Sequence, residues 1–264
     1  MSKKRKREKM SLPRKIVFVI ALMVFVGAAG VIIDHYVTGW RAEKALNDLE
    51  KYKTEQVADL ETEKGTVIGE YVELYKKNPD IIGWIKIEGT NINYPVMHTP
   101  DDPEYYLRRD FDQQYSLSGT PFLDGSSDIF LPTCNWTIYG HHMKDGTMFM
   151  DVTKYADRDF YEEHKIIEFD TIYKETGQAK YEVMAAFYAE IKNVDEGGFK
   201  YYQYAGITTE ESFNEYVAGV KSESEYDTGV EAEYGDQLIT LSTCNYHVGD
   251  GRGRFAVVAK RIDE

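Results

Sequence analysis

Cysteine is scarce in this sequence: the chain of 264 residues contains two, Cys134 and Cys244. Two cysteines allow one disulfide at most, which excludes the dense disulfide framework of small secreted domains. A bridge between them would need Cα atoms within about 7 Å of each other. With 42% hydrophobic and 14% aromatic residues, the chain instead predicts one sizeable folded domain with appendages, stabilised by a strand-rich core.

Outside the N-terminus, acidic residues outnumber basic ones. Residues 1–15 carry eight Lys and Arg side chains against Glu8, a net charge of +7, so the formal total of −14 leaves −21 for the remainder. A strongly acidic domain repels a phosphate backbone. The charge distribution therefore excludes nucleic acid as the expected partner of the folded part.

Long hydrophobic runs are limited to one, the 18 uncharged residues from Ile16 to Ile33. As a helix this run would span about 27 Å, enough to cross a bilayer. We therefore expect a basic cytoplasmic tail at residues 1–15 and a transmembrane anchor at 16–34, with the rest of the chain outside the cell. A cleaved signal peptide is the alternative, because "GAAG" supplies small residues near a cleavage point.

Residues 35–78 are predicted to form a helical linker. From Trp40 onwards the segment is dense in Ala, Leu, Glu and Lys, with apolar residues at helical spacing. Gly65 and Gly69 predict a break between two helices, and Asn78 before Pro79 predicts the end of the second. A spacer with a lid function and a solvated packing helix both agree with this pattern.

Residues 79–264 are predicted to form the folded domain, mostly β in class. Short β-rich runs separated by Gly, Asp and Asn turn signals favour an antiparallel barrel or sandwich. The exception is Thr208–Ser224, where Thr209 precedes two glutamates and an apolar stripe, a pattern typical of a helix. The seven runs are "IIGWIKI", "NINYPVM", "WTIYGH", "KIIEFD", "YEVMAAFYAEI", "QLITLSTC" and "RFAVVAKRI".

Cys244 lies where an apolar run gives way to a loop rich in Gly and Asp, a position from which its thiol can face a substrate. A thiol of ordinary pKa is mostly protonated at neutral pH, so a nucleophilic cysteine needs a base or a neighbouring cation. The sequence offers both. The candidate bases are His141, His142 and His247, and the candidate cations are Arg252 and Arg254.

The histidines differ in their expected rigidity. His141 ends a β-run, whereas His247 lies in a loop, and a catalytic group needs a rigid support. A zinc site that includes Cys244 and His247 is a weaker alternative, because no second pair of ligands accompanies them.

The motifs "TLSTC", "YGHHMKDGTMF" about a hundred residues upstream, and "GRFAVVAKRI" downstream together resemble the sortases, class B in particular. These are membrane-anchored cysteine transpeptidases of Gram-positive bacteria. The likeness extends through "IIGWIKIEGTNINYPV", "YYLRRDF", "GTPFLD" and "FYEEHKIIEFD", over roughly residues 75–262. It implies a closed sortase-type β-barrel at residues 79–264, with N-terminal helices and a helix before the cysteine-bearing strand.

The resemblance also implies catalytic roles. Cys244 corresponds to the nucleophile, His141 to the general acid and base, and Arg254 to the cation that holds the substrate and stabilises the oxyanion. Arg252 remains a rival for the last role, because residues two apart on a strand point to one face.

Three further residues are implied to bind substrate: Leu107 and Ser242 line the peptide groove, and the backbone N–H of Asn245 is a further oxyanion donor. The sequence departs from the family at Asp102-Pro103, where an asparagine is common. Cys134 has no family role and is expected to be a structural thiol.

The implied reaction cleaves a C-terminal sorting signal such as N-P-x-T-N or N-P-x-T-G after Thr, through a thioester on Cys244. An amine of a cell-wall precursor, lipid II-like, then accepts the surface protein. The alternatives are a pilin-polymerising sortase that uses a pilin lysine, a cysteine peptidase that uses water, and a catalytically idle binding protein. No cofactor or metal is implied, and the expected location is the cell membrane, with the catalytic domain outside.

Overall fold

The computed structural model divides the chain into two compact units, one ending at Ala42 and the other beginning at Glu43. Most of the predicted basic tail, residues 1–10, lies outside the described part of the chain. The described residues are 11–53, 57–131, 134–193, 195–249 and 251–262.

The N-terminal helix α1 runs from Leu12 to Leu49, over 38 residues. Its stretch Leu12–Gly30 is long and apolar enough to cross a membrane, and none of it is buried inside the protein. By length and composition this stretch is compatible with the predicted anchor, and equally with a signal sequence.

The predicted helical linker contains a β-hairpin between its helices. After α1, strands β1 (Leu60–Glu61) and β2 (Thr66–Val67) pair antiparallel, and α2 follows at Val72–Lys77. The expectation of helix up to the glycines is therefore wrong. The Thr62 hydroxyl donates to the Gly65 carbonyl at 2.7 Å and closes the turn. The predicted end of the second helix is confirmed, since Asn78 is the C-cap of α2.

The remaining strands form a closed β-barrel, which confirms the predicted fold class. The strand order around the barrel is β10, β8, β7, β3, β4, β5, β6, β9. All seven β-rich runs of the sequence form strands, and β5, with two residues, is the one that the runs do not include. The strands are β3 (Ile81–Lys86), β4 (Asn93–Met97), β5 (Phe122–Leu123), β6 (Asn135–Tyr139), β7 (Ile166–Thr171), β8 (Gln178–Glu190), β9 (Leu238–Cys244) and β10 (Gly253–Ile262).

The barrel is mixed, so the expectation of a purely antiparallel sheet is corrected. Strand β4 pairs parallel to β5, and β6 pairs parallel to β9. The reason is connectivity: long segments containing helices join these strands, and parallel partners need such crossovers. The consequence matters for function, because the C-terminal ends of β6 and β9 meet at the same edge.

A helical layer covers part of the barrel's outer surface. Helix α4 (Glu210–Glu223) begins where predicted, with the Thr209 side chain accepting a hydrogen bond from the Ser212 amide. Its buried residues Phe213, Tyr216 and Val220 belong to one apolar cluster with residues of β8 and β10, and the strand that the helix contacts most is β8. This layer confirms the predicted helix before the cysteine-bearing strand.

Candidate active site

The strand register brings His141 and Cys244 to one edge of the barrel. In the parallel pair β6 and β9, Tyr139 lies opposite Ser242, and His141 and Cys244 each follow two residues later. The pairing continues past β6, because the Gly140 amide donates to the Ser242 carbonyl at 3.1 Å. The Thr243 hydroxyl also donates to the Gly140 carbonyl at 2.8 Å.

Strand β10 adds Arg254 to the same edge. It runs antiparallel to β9, and Arg254 is the direct partner of Cys244. Partners across an antiparallel ladder point to the same face of the sheet, with Cβ atoms about 4.5–5.5 Å apart. The three candidate catalytic residues thus come from the ends or starts of three adjacent strands.

Cys244 is the last residue of β9 and is half-buried, and its thiol is free. Cys134 is also free, and it lies beside the other end of β9, where its carbonyl accepts a hydrogen bond from the Leu238 amide at 2.7 Å. Leu238 and Cys244 are the two ends of a seven-residue extended strand, about 20 Å apart. The structure therefore excludes a disulfide between the two cysteines.

His141 is oriented by the segment that carries Leu107. The imidazole Nε2 lies 2.8 Å from the Leu107 carbonyl oxygen. A carbonyl only accepts, so the hydrogen belongs to Nε2, and Nδ1 is the proton acceptor of the neutral ring. The backbone is held too, since the Phe149 amide donates to the His141 carbonyl at 2.9 Å. Gly140 is required before His141, because a Cβ there would collide with the Phe149 ring.

Burial is the main cause that lowers the pKa of His141 below its usual value of 6.5. The bond to the Leu107 carbonyl opposes this shift, while the charges of Arg108 and Arg254 add to it. The imidazole is therefore neutral at physiological pH and able to take a proton from a thiol.

Arg254 and Arg252 occupy different environments. Arg254 donates through Nη1 to the carbonyls of Gly251 (3.0 Å) and Gly253 (2.9 Å), which leaves its Nη2 and Nε donors for other partners. Arg252 instead forms ion pairs with Glu190 at 2.8 Å and Glu196 at 3.3 Å. It directly precedes β10, which begins at Gly253, and its carbonyl still accepts a hydrogen bond at 2.9 Å from the amide of Ile191, the residue after β8.

Two of the predicted substrate-binding residues form hydrogen bonds within the protein. The Asn245 amide donates to the Gly253 carbonyl at 2.9 Å, a bond of the β9–β10 ladder. Ser242 is 1% exposed, and its hydroxyl lies 2.6 Å from the Tyr201 hydroxyl. The substrate-binding roles of Asn245 and Ser242 stay predictions. Leu107 is half-buried, and its groove role stays a prediction.

Two contacts near the site were not predicted from the sequence. Tyr201, fully buried, covers Ser242, and burial raises its pKa to about 12 although the bond to Ser242 acts in the opposite direction. The second is His142, whose Nδ1 lies 3.0 Å from the Cys244 carbonyl oxygen. His247 is exposed and bonds to the Asn245 side chain. The partners of Tyr201 and His142 are 41 and 102 positions away along the chain, beyond the reach of a local pattern.

Comparison with known proteins identifies the family. The sortase domain model matches residues 85–262. Sortase B of Staphylococcus aureus is 33% identical over 193 residues, covering 73% of this chain and 75% of that protein. Sortase B of Listeria monocytogenes is 33% identical over 221 residues, covering 82% of this chain and 83% of that protein. The structure of a Staphylococcus aureus sortase B-substrate complex matches with a TM-score of 0.71 at 28% identity, over 86% of this chain and 99% of that one. The fold, the strand-end arrangement and these relatives together show that this chain belongs to the sortase family of cysteine transpeptidases, among the class B members.

Proposed function

We propose that this sortase cleaves a C-terminal sorting signal after a threonine, forms a thioester on Cys244, and transfers the acyl group to an amine of a cell-wall precursor. The observation that supports this most is the register of three strands, which pairs Arg254 with Cys244 and ends β6 and β9 at one edge. A nucleophile, a base and a cation at one edge are the groups that acyl transfer through a cysteine requires.

The first half of the reaction is acylation. The neutral imidazole of His141 takes the thiol proton of Cys244, and the sulfur attacks the threonine carbonyl carbon. The resulting oxyanion is held by the free guanidinium donors of Arg254. The tetrahedral intermediate collapses with breakage of the C–N bond, and His141 returns its proton to the leaving amine.

The second half of the reaction is aminolysis. The acceptor amine attacks the thioester carbon and loses a proton to His141, the Cys244 thiolate leaves, and His141 returns that proton to the sulfur. The product is a new amide, and the enzyme returns to its starting state. Water in place of the amine would give hydrolysis, which is the chemistry of the peptidase alternative.

The proposed donor is a surface protein with an N-P-x-T-N or N-P-x-T-G signal, and the proposed acceptor is a lipid II-like precursor. The support is similarity, since the matched Staphylococcus aureus sortase B structure is a substrate complex. A pilin lysine as acceptor is the second candidate within the same chemistry.

The proposed location is the cell membrane. The apolar stretch Leu12–Gly30 supports a single-pass anchor, and the basic residues 1–15 favour a cytoplasmic N-terminus. In this arrangement, residues 35–78 link the anchor to an extracellular catalytic domain at residues 79–264.

The test uses the full chain in detergent with a quenched fluorogenic peptide that carries N-P-A-T-N, with and without triglycine. The expected result is cleavage after Thr and, with triglycine, a ligated product detected by mass spectrometry. Cys244→Ala is the inactive control. Hydrolysis that triglycine does not divert would contradict the transferase proposal and favour the peptidase, and no cleavage of any peptide in a library of threonine-containing signals would contradict both.

A further inference from the structure

The peptide group between Cys244 and Asn245 is hydrogen-bonded at both of its polar atoms. Its carbonyl oxygen lies 3.0 Å from Nδ1 of His142. Its N–H donates to the Gly253 carbonyl at 2.9 Å. Because a peptide group is planar, fixing the oxygen and the nitrogen fixes the orientation of the whole unit and of the Cys244 Cα at its edge.

The same chain of contacts reaches Arg254. The Gly253 carbonyl that accepts the Asn245 amide also accepts Nη1 of Arg254 at 2.9 Å. Gly253 is required there, because a Cβ would collide with the carbonyl oxygen of Asn245. The nucleophile's peptide plane and the guanidinium therefore share one acceptor atom.

His142 is itself held at this place. Its backbone forms a bridge with Met148 across the loop that follows His141. Its ring centroid lies 5.5 Å from that of Tyr246, with the planes tilted by 49°. The Lys144 ammonium lies over the same Tyr246 ring, 5.9 Å from its centroid. The loop after β6 is thus attached to the loop after β9.

The chemistry of the contact defines the role of the ring. The Cys244 carbonyl can only accept, so Nδ1 of His142 carries the hydrogen. An Nδ1–H is present both in the imidazolium ion and in one neutral tautomer. The bond therefore does not require that His142 exchange a proton, in contrast to His141.

We propose that His142 is a positioning residue of this site: its Nδ1–H fixes the Cys244–Asn245 peptide plane and thereby orients the thiol and, through the Gly253 carbonyl, the Arg254 guanidinium. The kinetic part of this inference rests on the proposed function. The structural part does not, and it is tested separately.

The structural test measures hydrogen–deuterium exchange of the Asn245 amide in the full chain, by mass spectrometry of overlapping peptides. His142→Ala should increase the exchange rate of this amide by about tenfold, the factor expected for one lost hydrogen bond. His142→Asn should restore slow exchange, because the Asn side-chain N–H₂ can donate to the same carbonyl.

A matched control is available in His164. Its Nδ1 lies 2.8 Å from the Phe160 carbonyl, and its ring stacks on Phe160 at 4.1 Å, between α3 (Arg158–Glu163) and β7. His164→Ala removes the same kind of bond elsewhere and should leave Asn245 exchange unchanged.

The kinetic test uses the N-P-A-T-N peptide with triglycine. His142→Ala should lower kcat by about tenfold with little change in KM, and His142→Asn should recover most of this loss with an unchanged pH profile. Unchanged Asn245 exchange in His142→Ala, an Asn variant as impaired as Ala, or increased exchange throughout the barrel would each overturn the inference. If the parent cleaves no sorting peptide, the proposed function fails, and the exchange experiment still decides the role of His142.

Discussion

The two cysteines of this chain occupy opposite ends of one pair of parallel strands. Cys134 precedes β6 and is hydrogen-bonded to the first residue of β9, while Cys244 is the last residue of β9. Both are half-buried, and both are free thiols. Their exposure therefore does not distinguish a structural cysteine from a nucleophile.

The neighbours of the two thiols make the difference. Cys134 packs against the apolar cluster beneath α4, which includes Ile207 and Leu238. Cys244 faces Arg254 across the ladder and lies beside the strand end that carries His141. A neighbouring base can take the proton of a thiol and activate it as a nucleophile, and an apolar surrounding offers no such group. The two cysteines therefore differ in the residues that the strand edge places beside them, and the candidate site forms at the edge where β6 and β9 end.

The largest expected effect is loss of the base at the Cys244 end. His141→Ala should reduce kcat/KM for the sorting peptide by about 10² to 10⁴-fold, the range for general acid–base catalysis. The thermal midpoint should change little, because His141 is only half-buried. His247→Ala, which changes an exposed loop histidine, should leave most activity. An active His141→Ala protein beside an inactive, folded His247→Ala protein would reverse the assignment.

The next effect concerns the two arginines. Arg254→Ala should lower kcat by about 10² to 10³-fold, as for removal of an oxyanion donor. Arg254→Lys should recover little, because an ammonium cannot reproduce the planar fork of donors. Arg252→Ala removes an equal charge that is paired with Glu190 and Glu196, and should stay within about tenfold of the parent. Steady-state kinetics of the three variants measures these differences. An inactive Arg252→Ala protein beside an active Arg254→Ala protein would contradict the pairing of Arg254 with Cys244 as the basis of the site.

A smaller effect is expected in the pH profile. Because burial and the two arginine charges lower the pKa of His141, its base form should persist below the usual histidine range. Activity should therefore fall on the acid side only as the pH drops below about 6.5. Arg108→Gln removes one charge that lowers this pKa, so the acid limb of kcat/KM should move to higher pH. A limb that stays in place or moves to lower pH would contradict the electrostatic account.

The smallest effect is expected at the other end of β9. Cys134→Ser exchanges a thiol for a hydroxyl against an apolar cluster and should cost about 1 kcal/mol of unfolding free energy. Catalysis should be unchanged, since Cys134 contacts none of the candidate catalytic residues. Urea denaturation and the peptide assay test the two parts, and a large loss of kcat at unchanged stability would give Cys134 a role in the reaction.

Much of the barrel was predictable because its signals are local. Strands such as β8 and β9 are apolar runs bounded by turn residues, and α4 has a Thr209 cap and an apolar stripe. The hairpin of β1 and β2 was missed because its segment is rich in Glu and Lys, which favour helix. Strand β5 is not predicted because its two residues, Phe122 and Leu123, are too few to show the alternation of apolar and polar residues that indicates a strand.

The candidate site was predictable in part for the same reason. Cys244 and Arg254 lie on neighbouring strands joined by a short loop. The change from an apolar run to a loop rich in Gly and Asp directly after Cys244 indicates a cysteine at a strand end. The parallel pairing of β6 with β9 depends on a crossover of about a hundred residues, so the contact of His142 with Cys244 could not be predicted from a local pattern. The same holds for the contact of Tyr201 with Ser242, which are 41 positions apart. The use of the Asn245 amide in the ladder likewise follows from register.

The most direct test of the account is the location of the acyl group. The full chain is incubated with the N-P-A-T-N peptide without an added amine, quenched in acid, and analysed by intact mass and peptide mapping. The account predicts an adduct of the peptide truncated after Thr, mapped to Cys244, in the parent and in Cys134→Ser, and no adduct in Cys244→Ala. An adduct on Cys134, or one that persists in Cys244→Ala, would contradict it.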